Sequence, residues 1–357
     1  MRMRRRTANR RKWVLGGVAL LGICSAVVLF ATTFQLVPVT SSDIEKATWA
    51  TGSISWSLNP SNSVVYSGSG TLANESALTS VLNTAFSLWS GALYQGTNVN
   101  TLSFTQGANN SNTDYVAGDC VNSIGFTRDF GATGIIAQTV VTTYSSTTTP
   151  FAYTCSKDPT TRTCPSPNEV CISDADIEFN TSYNFYTPSY SSPPSNYFDL
   201  QTVATHEIGH LIGLDHSGLA NAVMYPYGDS GTGGIKYSLA IDDMIGSGVL
   251  YTNSAIQPLT GGIKGTVTVG GSPAFGAHVV AIDSATGNVI TDTLTDPKGN
   301  YHLRMLQGNY YVLVLPLATD TSGDSNTNGV TSINNYNGFH DGYPSGSAQT
   351  SFTGKYY

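Results

Sequence analysis

The sequence predicts an α+β region followed by an all-β region, on three observations. Between Ser53 and Asn180, short alternating or β-branched runs surround one segment of helical period. From Phe198 to Tyr251, apolar residues recur at helical spacing in two further segments. Beyond Gly262 only short strands separated by turn residues remain. At 357 residues the chain is long enough for two separate cores.

Taken in order, the chain begins with seven cations in its first dozen residues: Arg2, Arg4, Arg5, Arg6, Arg10, Arg11 and Lys12. An uncharged run from Trp13 to Phe34 follows, which is the layout of an export signal and is also long enough to span a bilayer. Residues 1–34 therefore read either as a cleaved signal peptide or as an N-terminal membrane anchor through residues 13–34. Both readings place everything after about residue 35 outside the cytoplasm. The net charge is −7 even with that basic cluster included, and no nucleic-acid partner is expected. Low charge and abundant Gly, Ser, Thr, Asn and Tyr agree with an extracytoplasmic, β-rich protein.

Cys24 sits within the apolar run and reads as one more apolar residue. Cys120, Cys155, Cys164 and Cys171 form an even set in an exported chain, so two disulfides are the default expectation. Three pairings are open, with a metal site from the same four as the competing reading.

The folded pattern starts at about Thr48. Ser53 to Leu58 alternates as a strand. A helical period then runs through Leu78, Leu82, Phe86, Trp89 and Leu93, with Asn74 as its cap. Leu102 to Thr105, Gly134 to Tyr144 and Asp176 to Asn180 read as strands. The Ser/Thr/Pro stretch from Ser145 to Cys171 reads as a long loop held by the disulfides.

Phe198 to Ile212 reads as a helix, and it carries the chemistry. Three of the six histidines fall in His206-Glu207-Ile208-Gly209-His210-Leu211-Ile212-Gly213-Leu214-Asp215-His216. Residues four apart share a helical face, so His206 and His210 can present two imidazoles to one point. Gly213 accepts the conformation that ends a helix and folds His216 back as a third ligand. Three imidazoles leave a fourth position open, the arrangement of one catalytic Zn2+ rather than a structural one. Glu207 follows the first ligand, where a carboxylate can take the proton of an attacking water. Asn221 to Pro226 then reads as a turn, Gly228 to Gly234 as a flexible loop, and Tyr237 to Tyr251 as a last helix.

From about Thr48 to Tyr251 the chain resembles the matrixins, the matrix-metalloproteinase-like branch of the metzincin zinc endopeptidases. The resemblance rests on His206 to Ser217 and on Met224 in Val223-Met224-Tyr225-Pro226, eight residues after His216. It rests also on the paired Asp242 and Asp243 ahead of Leu250-Tyr251, and on Gly134-Ile135-Ile136-Ala137 as a substrate-binding edge strand. It implies a metzincin catalytic domain over residues 35–251, a twisted mixed sheet, largely parallel, with three helices. It also implies protein or peptide substrates, and a Met224 that supports the ligands from below without binding metal. Gln138 stands where relatives with a second, structural zinc carry histidine, so that ion is not expected; calcium in Asp- and Asn-bearing loops stays open. No cysteine-bearing latency segment is expected between Phe34 and Thr48.

Residues 252–260 read as a linker. In 261–357, Gly262 to Val269, Ala277 to Asp283, Val289 to Thr295, Tyr301 to Leu306 and Tyr310 to Leu315 read as strands. The turns Asp296 to Tyr301 and Gly308 to Tyr310 resemble the carboxypeptidase-regulatory-like, transthyretin-type β-sandwich, followed by a polar tail after Leu317. His278, His302 and His340 read there as isolated polar residues. The rival reading of the whole chain is a catalytically idle metal-binding surface or adhesion protein. Glu207 separates the two, because a structural site has no use for an unligated carboxylate beside its first ligand.

Overall fold

The structure is a computed structural model that describes residues 6–7, 36–38, 44–111, 116–256, 260–316 and 351–356. The run 13–34, read as signal or anchor, and most of the polar tail lie outside the described residues. No described helix is long and apolar enough to cross a membrane.

The first half is built on strands β1 (Ser53–Asn59), β2 (Ser103–Gln106), β3 (Ser123–Arg128), β4 (Ala137–Ser145) and β5 (Val170–Asn180). They lie in the order β4-β5-β3-β1-β2, with β4 antiparallel to β5 and every other pairing parallel. Residues 6–7 pair with the outer side of β4, and Thr48–Trp49 pair with β5 beyond the end of β3. Three α-helices are found among the described residues, α1 (Glu75–Ser90), α2 (Leu200–Leu211) and α3 (Ile241–Leu250), with one 3-10 turn at Gly231–Gly234.

Helix α1 forms where the apolar period predicts it. Asn74 caps it by accepting from the Ala77 amide at 2.9 Å, and Gly91 ends it. Leu93, expected on this helix, lies beyond Gly91 and is 57% exposed. The buried face packs on the sheet: Trp56 of β1 stacks on Phe86 with ring centroids 4.8 Å apart. Trp89 Nε1 donates to the Thr205 carbonyl at 2.9 Å and ties α1 to α2.

Strand β5 is longer than expected. All eleven of its residues are buried, so most of it lacks the alternation that identifies a strand with one wet face. Strand β3 was not foreseen, because Asn122, Ser123 and Gly125 break its β-branched pattern. Helix α3 starts at Ile241 rather than Tyr237. The Asp243 carboxylate accepts from the Ala240 amide at 2.8 Å, and the Tyr237 hydroxyl donates to Asp199 at 2.8 Å. The expected loop before Cys171 contains a hairpin, Phe151–Thr154 with Thr161–Cys164. The disulfides are Cys120–Cys155 and Cys164–Cys171, one of the three open pairings.

The second half contains β6 (Thr260–Thr266), β7 (His278–Asp283), β8 (Val289–Leu294), β9 (Asn300–Leu306) and β10 (Tyr310–Leu315), close to the strands expected. Strands β8, β7 and β10 form an antiparallel sheet that Lys355–Tyr356 extend beside β10, while β6 pairs with β9. Val279, Ala281, Leu303, Met305 and Val314 close their core, and Ile245 of α3 is part of it. The two halves thus share an apolar seam along α3.

Candidate metal centre

Helix α2 is capped at its start by Asp199, which accepts from the Thr202 amide at 2.7 Å. At its other end the Leu211 carbonyl accepts from Trp49 Nε1 at 2.8 Å, and the Ile212 carbonyl accepts from the Tyr251 hydroxyl at 2.8 Å. Carbonyls that a helix end leaves without helical partners are thereby satisfied from two distant parts of the chain. Gly213 follows with φ +101°, and a Cβ there would overlap the Ala47 carbonyl, so glycine is required on both counts.

The turn at Gly213 brings His216 beside the two helical histidines. The ring centroids of His206, His210 and His216 lie 4.8, 4.8 and 5.3 Å apart, and one ligand atom of each falls within 4.8 Å of the others. The rings are oriented from behind. His206 Nδ1 donates to the Val223 carbonyl at 2.7 Å and His210 Nδ1 to the Leu214 carbonyl at 2.9 Å, which turns each Nε2 towards the common point. Burial, then the neighbouring His210, holds the His206 imidazole well below its ordinary pKa, so it is neutral and able to ligate. Its Nε2 is buried and makes no hydrogen bond, which a metal ion at the common point would explain. Among the described residues these three histidines are the one such converging group, and the calcium expectation gains no support.

Glu207 is completely buried beside them, and burial pushes its carboxyl up to about 8. Thr139 of β4 donates to Glu207 Oε2 at 2.6 Å and lies 3.0 Å from the Glu207 carbonyl, while Oε1 makes no hydrogen bond. Thr139 was not singled out from the sequence. Only its inward position on β4 marks it, and pairing across 68 positions has no local signal.

Met224 is fully buried beneath the site, against Gly209 of α2. A Cβ at Gly209 would overlap the Met224 sulfur, so this glycine lets the turn approach the helix. The turn itself hangs on Asp243, which accepts from the Val223 amide at 2.8 Å and the Met224 amide at 3.1 Å. Gln138, standing where relatives with a second zinc carry histidine, donates to Glu178 at 3.0 Å. His278 corrects an expectation: it is not isolated, but buried and hydrogen-bonded to Asp292.

Comparison with known proteins adds an independent line. The family described as matrixin matches residues 48–252. The chain is 50% identical over 60 residues to Metalloendoproteinase 1 of Glycine max, covering 17% of this chain and 19% of that protein. It is 51% identical over 53 residues to Karilysin of Tannerella forsythia, 15% of this chain and 10% of that one. With Stromelysin-1 of Mus musculus the identity is 42% over 60 residues, 17% and 13% of the two chains. Each match spans less than a fifth of the relative's length.

Proposed function

The chain belongs to the matrixin family, and on that premise we propose that it is a zinc-dependent endopeptidase acting on proteins or peptides outside the cytoplasm. His206, His210 and His216 hold the ion, and the observation that carries the reading is their convergence beside a buried carboxylate oxygen with no hydrogen bond. Zinc bound there supplies Lewis acidity to the scissile carbonyl and acidifies water.

The chain's own groups do the rest. Glu207, its proton affinity raised by burial, takes the proton as the water oxygen bonds to the carbonyl carbon. It then delivers that proton to the amine as the C–N bond breaks. Thr139 holds one oxygen of this carboxylate, leaving Oε1 for the proton transfer. Met224 supports the ligands from below, and Gly134 to Ala137, leading into β4, offer the edge along which an extended substrate lies. Residues 1–34 export the chain, as signal or anchor, and 261–357 form a carboxypeptidase-regulatory-like sandwich beyond a linker at 252–260. The five antiparallel strands and their shared core support that last reading.

Casein digestion by the purified chain tests the reading. Digestion should stop with a chelator and return with zinc. Glu207→Gln should lower the rate about 10²- to 10⁴-fold while zinc stays bound. An unchanged rate in Glu207→Gln sinks the mechanism, and a wild-type chain that binds zinc without digesting protein turns the assignment to the idle surface protein.

A further inference from the structure

The three histidines are not held alike. His206 and His210 sit on α2, and each Nδ1 is fixed by a backbone carbonyl, of Val223 and of Leu214 respectively. His216 lies past the helix, its amide donating to Asp215 Oδ1 at 2.8 Å, in a loop also gripped through the two residues after it. Ser217 donates its amide to the Met224 carbonyl at 2.9 Å, and its hydroxyl accepts from the Leu219 amide at 3.2 Å. Further grips come from farther away.

The Ser217 hydroxyl donates to Asp242 Oδ2 at 2.8 Å, and the Gly218 amide donates to Asp292 Oδ2 at 3.2 Å. Asp242 is in turn gripped from the second half of the chain. Its Oδ1 accepts from the Thr291 hydroxyl at 2.7 Å and from the Asp292 amide at 3.4 Å. His278, from β7, bonds the same Asp292 oxygen that receives Gly218. Ser217, Asp242, His278, Thr291 and Asp292 are all at most 2% exposed. Hydrogen bonds among groups this far from water are fixed in geometry, because breaking one strands a buried polar atom. Ile245, one turn along α3 from Asp242, is part of the core of the β region, so both ends of the contact are anchored.

We propose that the C-terminal β region is a working part of the metal centre, in which Thr291 and Asp292 are positioning residues for His216. They act through Asp242 and Ser217 on one path and through the Gly218 amide on the other. The inference rests on reading the three histidines as one zinc site. Partners hydrogen-bonded directly to metal ligands change metal affinity by about 10- to 100-fold when lost, and a residue acting through Asp242 and Ser217 is expected at no more than the low end of that range. Ordinary packing between the two halves would instead change only overall stability.

The test uses the full chain with Thr291→Val, Thr291→Ser and Asp292→Asn, and Thr266→Val in exposed β6 as a control. Zinc affinity is read by competition with a chromophoric chelator, ligand geometry by the visible spectrum of the cobalt-substituted protein, and stability by thermal unfolding without metal. Kinetic constants are read on a peptide. Thr291→Val should bind zinc about ten-fold more weakly, alter the cobalt spectrum and lower kcat with KM nearly constant. Thr291→Ser, which keeps the hydroxyl, should restore all three. Equal zinc affinity and equal cobalt spectra in wild type, Thr291→Val and Thr291→Ser overturn the proposal. If Asp292→Asn does not fold, the Thr291 pair decides. A wild-type chain that binds zinc but cleaves no peptide defeats the proposed function, while the affinity and spectral comparison still decides this inference.

Discussion

Two groups of buried aspartates invite comparison. Asp242 and Asp243 open α3 and hold the turn and loop of the three histidines; Asp174 and Asp176 lie on β5, with Asp119 next to Cys120 of the Cys120–Cys155 disulfide. All five are at most 2% exposed. The first pair organises backbone: Asp243 accepts from three amides, at Val223, Met224 and Ala240, and Asp242 accepts the Ser217 and Thr291 hydroxyls. In the second group Asp176 accepts from the Ser123 and Val116 amides and Asp174 Oδ2 from Gly118, but Asp174 Oδ1 is buried without a hydrogen bond. The same side chain does different work according to what its oxygens receive. Burial raises the carboxyl pKa in both groups; they differ in that the first receives donors from the metal-binding turn and loop, while one oxygen of Asp174 receives none.

The largest effect that could break this contrast is expected at Asp243. Asp243→Ala strands three amides in a fully buried position, which should cost about 4 kcal/mol in urea unfolding and abolish peptide cleavage together with zinc binding. Retained zinc affinity in a folded Asp243→Ala chain would mean that the Met224 turn needs no such anchor. On the other side, Cys120→Ser with Cys155→Ser opens a loop closed over a sequence separation of 35. A loss of about 3 kcal/mol is expected, with zinc affinity unchanged. A fall in zinc affinity would show that this disulfide-bonded segment is coupled to the metal centre.

What could be read from the sequence divides along the same line. His206, Glu207, His210, Gly213 and His216 lie within one turn-and-helix segment, so their spacing alone placed them, and Met224 follows closely enough to share that logic. Strands β7, β9 and β10 are short β-branched or aromatic runs between turn residues, and their expected bounds agree with the structure within a residue or two. Thr139, Thr291 and Asp292 carry no signal of their own, because each reaches the metal centre across 49 or more positions, where no periodicity connects donor to acceptor. The spacing of His278 resembles nothing, and only the fold shows it paired with Asp292. Strand β5 was under-read for the opposite reason: burial on both faces erased the alternation. Residues whose work is local announce themselves, and residues that join distant parts do so only once the chain is folded.

The smallest expected effect is also the one that depends on sign. Burial, then the charges of Asp176 and Asp119, pushes the Asp174 carboxyl up to about 9, and burial pushes Asp176 up to about 7. A folded-state pKa above the unfolded value means the native state binds the proton more tightly. The stabilisation is then complete below about pH 4, where both states are protonated, and is lost as pH rises through about 7 and about 9. Wild-type stability should therefore fall between about pH 5 and pH 9 as the carboxyls ionise near one another. Asp174→Asn keeps an acceptor for the Gly118 amide and removes the ionisation, so it should flatten that fall. At pH 8 to 9 the variant should be more stable than wild type by about 2 kcal/mol, and at pH 5 the two should nearly coincide. Urea unfolding at the two pH values measures this directly. A gain of equal size at both would locate the cost of Asp174 in its unmatched Oδ1 rather than in its charge, and the contrast with Asp243 would then be one of hydrogen bonding alone.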